Sequence, residues 1–114
     1  MRTTSKGRVS STISYRDDLL ERIRRSPDLG AGYLNAALAE APKVFLIALK
    51  DVVDAQGGVS RLAKKTGMHR VSLHSLLSAK GNPRLDNLNR ILDALNIRLT
   101  MAPKIESRKR KKAG

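Results

Sequence analysis

The stretch Val59-Ser-Arg-Leu-Ala-Lys-Lys-Thr-Gly-Met-His-Arg-Val-Ser-Leu-His-Ser-Leu-Leu-Ser78 decides the fold. Its apolar residues Leu62, Met68, Leu73 and Leu76 fall where two short helices would be anchored to a common core. Between them stands Gly67, a residue that accepts a positive φ, and four places before it Ala63 supplies the small side chain that a close helix crossing needs. Six positions therefore agree on helices over 60–66 and 70–77 about a glycine turn, a helix-turn-helix.

The helical pattern continues on both sides. Leu19, Leu20 and Ile23 mark one face of a helix that begins near residue 14 and ends at Ser26-Pro27. Ser26 suits an N-cap and Pro27 a first helical turn, so a second helix should run to about residue 40, with Leu29, Tyr33, Leu34, Ala37 and Leu38 at core spacing. Pro42 opens a third, in which Val44, Phe45, Ala48, Leu49, Val52 and Val53 form a broad apolar stripe that stops at Gly57-Gly58. A turn-rich loop, Ala79-Lys-Gly-Asn-Pro83, precedes a last helix over about 84–95, with Leu85, Leu88, Ile91, Leu92 and Leu95 on its apolar face. Beyond it, Ile97, Leu99 and Met101 alternate with Arg98 and Thr100, the pattern of a short strand. Such a strand would pair with its copy in a second chain or pack as an extended tail.

The expected class is all-α. Residues 1–13 form a flexible lead-in, 14–41 an N-terminal helical extension, 42–102 the helix-turn-helix bundle, and 103–114 a disordered basic tail. Composition agrees: aromatics make up 3% of the 114 residues, so Leu, Ile, Val and Ala must build the core. There is no cysteine, which removes disulfides and thiolate zinc sites. His69 and His74 lie five apart with no carboxylate near them in sequence, a spacing that does not put two ligands on one helical face, so no metal is expected. No apolar run approaches a membrane span, and no apolar segment follows the N-terminal basic residues, so a soluble cytoplasmic protein is predicted.

Charge narrows the function. With 23 basic and 10 acidic residues the net charge is +13, a field that attracts polyanions. No Asp or Glu occurs between Asp54 and Asp86, whereas Arg61, Lys64, Lys65, Arg70, Lys80 and Arg84 do. A merely solvated helical face mixes both signs. The sequence thus predicts double-stranded DNA as partner. It gives no sign of an enzyme, having neither paired carboxylates, a nucleophile with its base, nor a phosphate loop.

Residues 42–96 resemble the lambda-type phage repressor family of helix-turn-helix proteins. The resemblance implies that the second helix of the pair enters the major groove, with His69, Arg70, Val71, His74 and Ser75 toward base edges. Arg70 has the fork to bind guanine O6 and N7, or equally a phosphate, and Val71 can touch a thymine methyl. His74 also suits a plain exposed polar position. Ser60, Arg61, Ser72, Lys80, Asn82 and Arg84 are the implied phosphate contacts, while Lys64 and Lys65 fit either a phosphate or a solvated face. The sequence departs from the family at Val59, where a bracing Gln is common, and at His69, a poorer N-cap than the usual Ser or Thr.

A narrower resemblance covers residues 33–99. The blocks Tyr33-Leu-Asn-Ala-Ala-Leu38 and Gly81-Asn-Pro-Arg84, with the Phe45 helix and the Leu92–Leu99 segment, are similar to HigA-like addiction module antidote proteins. That resemblance implies an antitoxin of a type II toxin–antitoxin module. It would neutralise a small RelE/ParE-type toxin and repress its own operon as a homodimer on a palindromic operator. The resemblance does not fix the toxin surface; an apolar groove along residues 14–41 is the expected one. Two alternatives stay open: a stand-alone helix-turn-helix repressor without a toxin, and a nonspecific nucleic-acid binder driven by the basic termini.

Overall fold

Proline and glycine punctuation sets the element order. The computed structural model describes residues 11–78 and 80–104, with side chains from Tyr15 onward. Six helices succeed one another: α1 Ser11–Arg25, α2 Pro27–Glu40, α3 Pro42–Ala55, α4 Gly58–Thr66, α5 Arg70–Leu76 and α6 Leu85–Ala94. The expected lead-in at 1–10 and the tail at 105–114 lie outside the described residues, and α1 starts at Ser11 rather than near 14. Ser26 caps α2 as its side chain predicts, its Oγ accepting from the Leu29 N–H at 3.2 Å, and Pro27 occupies the first turn.

The first three helices pack on one another, α4 lies against α3, and α5 and α6 each pack against α4. One cluster of buried side chains runs through all of them, from Ile23 through Leu34, Leu49, Val52, Leu62 and Leu73 to Ile91 and Leu95. Burial removes apolar surface from water at about 25 cal/mol per Å², so this cluster is the main stabilising term. Val59 is part of it, with 7% of its surface exposed. Its departure from the repressor pattern therefore has a packing reason: an apolar side chain here adds to the core.

Three apolar assignments differ from the periodicity. Leu77, just past the end of α5, is buried, whereas Leu76 is only half-buried, because the chain turns there and rotates the inward direction by one residue. Leu85 is 68% exposed as the first residue of α6, where the helix has not yet reached the core. Leu38, one turn from the end of α2, is also largely exposed at 48%.

The alternation at 97–101 forms no strand. The described residues contain no strand at all, and residues 98–103 make no main-chain hydrogen bond to another described residue, so the pattern has nothing to pair with among them. Helix α6 ends instead in a Schellman stop. Asn96 takes the left-handed conformation (φ 68°), its N–H donates to Asp93 O at 3.0 Å, and the Ile97 N–H donates to Leu92 O at 2.9 Å. Ile97 then turns back onto α2, where a Cβ placed on Gly30 would lie 3.7 Å from its Cδ1.

A polar latch fastens α1 and α2 to α3. The Tyr33 hydroxyl donates to Asp51 at 2.7 Å, and Arg16 reaches Asp51 at 2.9 Å and Asp54 at 3.2 Å. Lys50 approaches Asp54 at 3.3 Å from within α3. Partial burial, then the hydrogen bond to the Asp51 carboxylate, pushes the Tyr33 hydroxyl up to about 12. A folded pKa above the unfolded value contributes stability that is complete below the unfolded value of about 10 and is lost as pH rises from there through about 12. Tyr33→Phe should cost about 1 kcal/mol in urea unfolding at neutral pH, the usual worth of such a bond. It should also flatten the decline in stability above pH 10. An unchanged urea midpoint and an unchanged alkaline profile would show that the latch contributes nothing.

Candidate nucleic-acid interface

The α4–α5 pair is built around its turn. Gly67 sits at φ 77°, which L side chains adopt only at a cost of roughly 1–2 kcal/mol. Its N–H donates to Ala63 O at 2.8 Å and closes α4. Thr66 completes the turn, its hydroxyl donating to Leu62 O at 2.8 Å and accepting from the Met68 N–H at 3.2 Å. His69 stands at the N-cap of α5 in extended conformation with no side-chain capping bond, as its poor capping chemistry predicts.

Leu73 is the one buried residue of α5 and Leu76 is half-buried, so the other five residues of this short helix face outward. His69, Arg70, Val71, His74 and Ser75 are all exposed, Val71 by 79%. They line two adjoining concavities. One, of about 410 Å³, is bordered by Met68, His69, Arg70, Val71 and His74. The other, of about 570 Å³, adds Ser72, Ser75, Leu76 and Asn87. The five base-facing candidates and Ser72 are thereby brought onto one surface.

The remaining phosphate candidates are distributed differently. Ser60 and Arg61 lie on α4, where they line a separate concavity with Gly57, Lys64 and Lys65. Lys80 and Asn82 are exposed in the loop before α6, and Arg84 is the N-cap residue of α6, 3.6 Å from Asp86. These three line neither of the concavities beside α5. The loop is held close to α5 by Gly81, whose N–H donates to Ser78 O at 2.9 Å. A Cβ at this position would lie 2.2 Å from the Leu76 carbonyl oxygen.

Asn87 is a site residue that spacing alone did not point to. It belongs to the first turn of α6 yet lines the same concavity as Ser72 and Ser75. A polar residue one turn into the helix that succeeds the recognition loop was the available signal.

Charge is divided along the chain. Residues 11–56 carry six basic and seven acidic side chains, whereas residues 57–104 carry nine basic and two acidic. The second half, net +7, contains α4 and α5, and the first half is nearly neutral. The apolar residues of 14–41 that suggested a toxin groove mostly turn inward: Ile23, Leu34 and Ala37 are buried, and Leu19, Leu20 and Leu29 pack against the core. The concavity that Arg24, Arg25 and Pro27 help to line is basic.

An all-helical bundle with two short helices set about a left-handed glycine is compatible with the helix-turn-helix class. The chain belongs to the family described as "probable addiction module antidote protein", whose model matches residues 18–103. It is therefore an addiction module antitoxin, which implies a toxin partner of some kind. No curated protein and no solved structure gave a match. Among the described residues no helix is long and apolar enough to cross a membrane.

Proposed function

We propose that this antitoxin binds double-stranded DNA through α4, α5 and the loop after α5, and represses its own operon. The observation that carries the reading is the exposed face of α5. Arg70 and Val71 project from a helix whose neighbourhood is free of acids, beside concavities bordered by His69, His74, Ser75 and Asn87. Arg70 supplies a fork for guanine and Val71 a methyl contact for thymine. Ser60, Arg61, Ser72, Lys80, Asn82 and Arg84 supply phosphate contacts.

The protein acts as a homodimer on a palindromic operator in the cytoplasm, and neutralises a small RelE/ParE-type toxin by binding it, not by catalysis. The helix-turn-helix resemblance and the antidote family support this reading together. The stand-alone repressor differs in one respect: its gene would have no small toxin-like reading frame beside it.

The test is equilibrium binding to the DNA upstream of its own gene, with salt varied. Each phosphate engaged releases counterions, so log Kobs should fall against log salt with a slope of about −0.9 per contact. Arg61→Ala should weaken all duplexes alike and reduce the slope by roughly one contact. Arg70→Ala should cost about 1–3 kcal/mol on the operator and less on unrelated DNA. A preference for the operator below about tenfold (roughly 1.4 kcal/mol) would sink the specific-repressor reading.

A further inference from the structure

One concavity among the described residues lies away from α5, beyond the C-terminal end of α4. It holds about 860 Å³ and lies where α1, α3, α4 and α6 end and α2 begins. Arg24, Arg25, Lys65 and Arg90 line it, with Asp93 the one acid, and Gln56, Thr66 and Asn96 add polar groups.

Arg90 is the informative side chain. Asp86 and Asp93 stand four before and three after it in α6, both at spacings that ordinarily form helical ion pairs. Among the described residues it pairs with neither, and Asp86 is engaged by Arg84 instead. Arg90 thus lines the groove with no carboxylate partner among the described residues. Arg24 and Arg25 must share a single carboxylate, Glu21, whose pKa is lowered by their hydrogen bonds. Lys65 donates only to the backbone oxygen of Ala94, at 3.2 Å.

The backbone of the groove restricts the ligand further. Among the described residues the last turns of α1 and α4 leave the carbonyl oxygens of Arg24, Arg25, Lys64 and Lys65 without a main-chain donor, whereas those of Ile91 to Ala94 in α6 are taken by its helix stop and by Lys65. A phosphodiester brings only acceptors and is repelled by such carbonyls. A polypeptide with acidic side chains brings carboxylates for the arginines and N–H donors for the carbonyls. The groove meets α4 at Lys65 and Thr66, and Lys65 also lines the concavity of Ser60, Arg61 and Lys64, so the two adjoin there, whereas no residue of α5 lines the groove.

We infer that this groove, which adjoins the DNA-binding surface at Lys65 but lies away from α5, is a docking site for an acidic polypeptide segment of a protein partner. The test uses the full-length chain with a fluorescein-labelled hexaglutamate peptide as probe, near 0.15 M salt, and a duplex of the upstream DNA in parallel. The variants are Arg25→Gln/Arg90→Gln and, as counterpart, Arg61→Gln/Arg70→Gln. Losing two charge-assisted contacts should weaken hexaglutamate binding about fivefold or more in the first variant, with duplex affinity kept within about twofold. The second variant should do the reverse. The inference is overturned if hexaglutamate does not bind, or if its affinity is unchanged in the first variant. It is equally overturned if the first variant loses duplex affinity with a shallower salt slope, since the groove would then be a phosphate track. All four substituted side chains are exposed, and far-UV circular dichroism would verify that the variants fold.

Discussion

Leu73→Ala should lower the stability of the whole chain by about 2–5 kcal/mol, out of the roughly 5–15 kcal/mol that a domain of this kind has. Leu73 has no exposed surface and is the one fully buried residue of α5. A seven-residue helix has no stability of its own in water, because nucleation costs more than so few hydrogen bonds return. It exists because Leu73, with Leu77 just beyond, ties it to the core. The variant should therefore lose operator binding together with a large drop in the urea midpoint. Val71, two residues earlier and 79% exposed, supplies the contrast. Val71→Ala should leave stability within about 0.5 kcal/mol and weaken operator binding alone. Equal stability losses in the two variants would contradict the assigned orientation of α5.

Gly81→Ala should weaken operator binding at least tenfold, about 1.4 kcal/mol, and destabilise the fold by roughly 1–3 kcal/mol. The added methyl would lie 2.2 Å from Leu76 O and 2.9 Å from Ser75 O, and both are backbone atoms that cannot swing aside. The loop must move away from the end of α5, taking Lys80, Asn82 and Arg84 with it and shifting the start of α6 that carries Asn87. Gly32 is the matched control. It is exposed in the middle of α2, and a Cβ there meets nothing within 4 Å. Gly32→Ala should thus stabilise the protein by about 0.5–1 kcal/mol and leave DNA binding alone. If Gly81→Ala binds the operator as the parent does, the loop takes no part in recognition.

The two glycine outcomes illustrate what sequence can and cannot convey. Gly67 was legible because a local rule, positive φ at a tight turn, dictates it. Gly81 reads in sequence only as a turn residue, since the atom it must avoid belongs to the preceding helix. The same division runs through the rest of the molecule. Helix starts at Pro27 and Pro42 follow from local chemistry. The choice between Leu76 and Leu77, and the exposure of Leu85, depend on how a short helix is set on its neighbours. Alternation at 97–101 is a local pattern without a partner, and one chain cannot turn it into a strand. On the candidate interface, residues contributed by α5 itself were readable from spacing, whereas Asn87 arrives from another helix. The basic groove joins residues as far apart as Arg24, Lys65 and Arg90, and no window on the sequence contains all three.

The single core has a consequence for how this protein would be destroyed. The first two helices pack on each other and on α3, and α3 carries that packing on to α4 and, through it, to α5 and α6. An opening that admits a protease to α1 would uncover the face of α3, the helix on which α4 also rests, and so would weaken the seat of the α4–α5 pair. One lifetime then governs every task the chain performs. On the proposed function, a cell that clears it would lose the toxin's counterweight and the promoter's occupant in the same event.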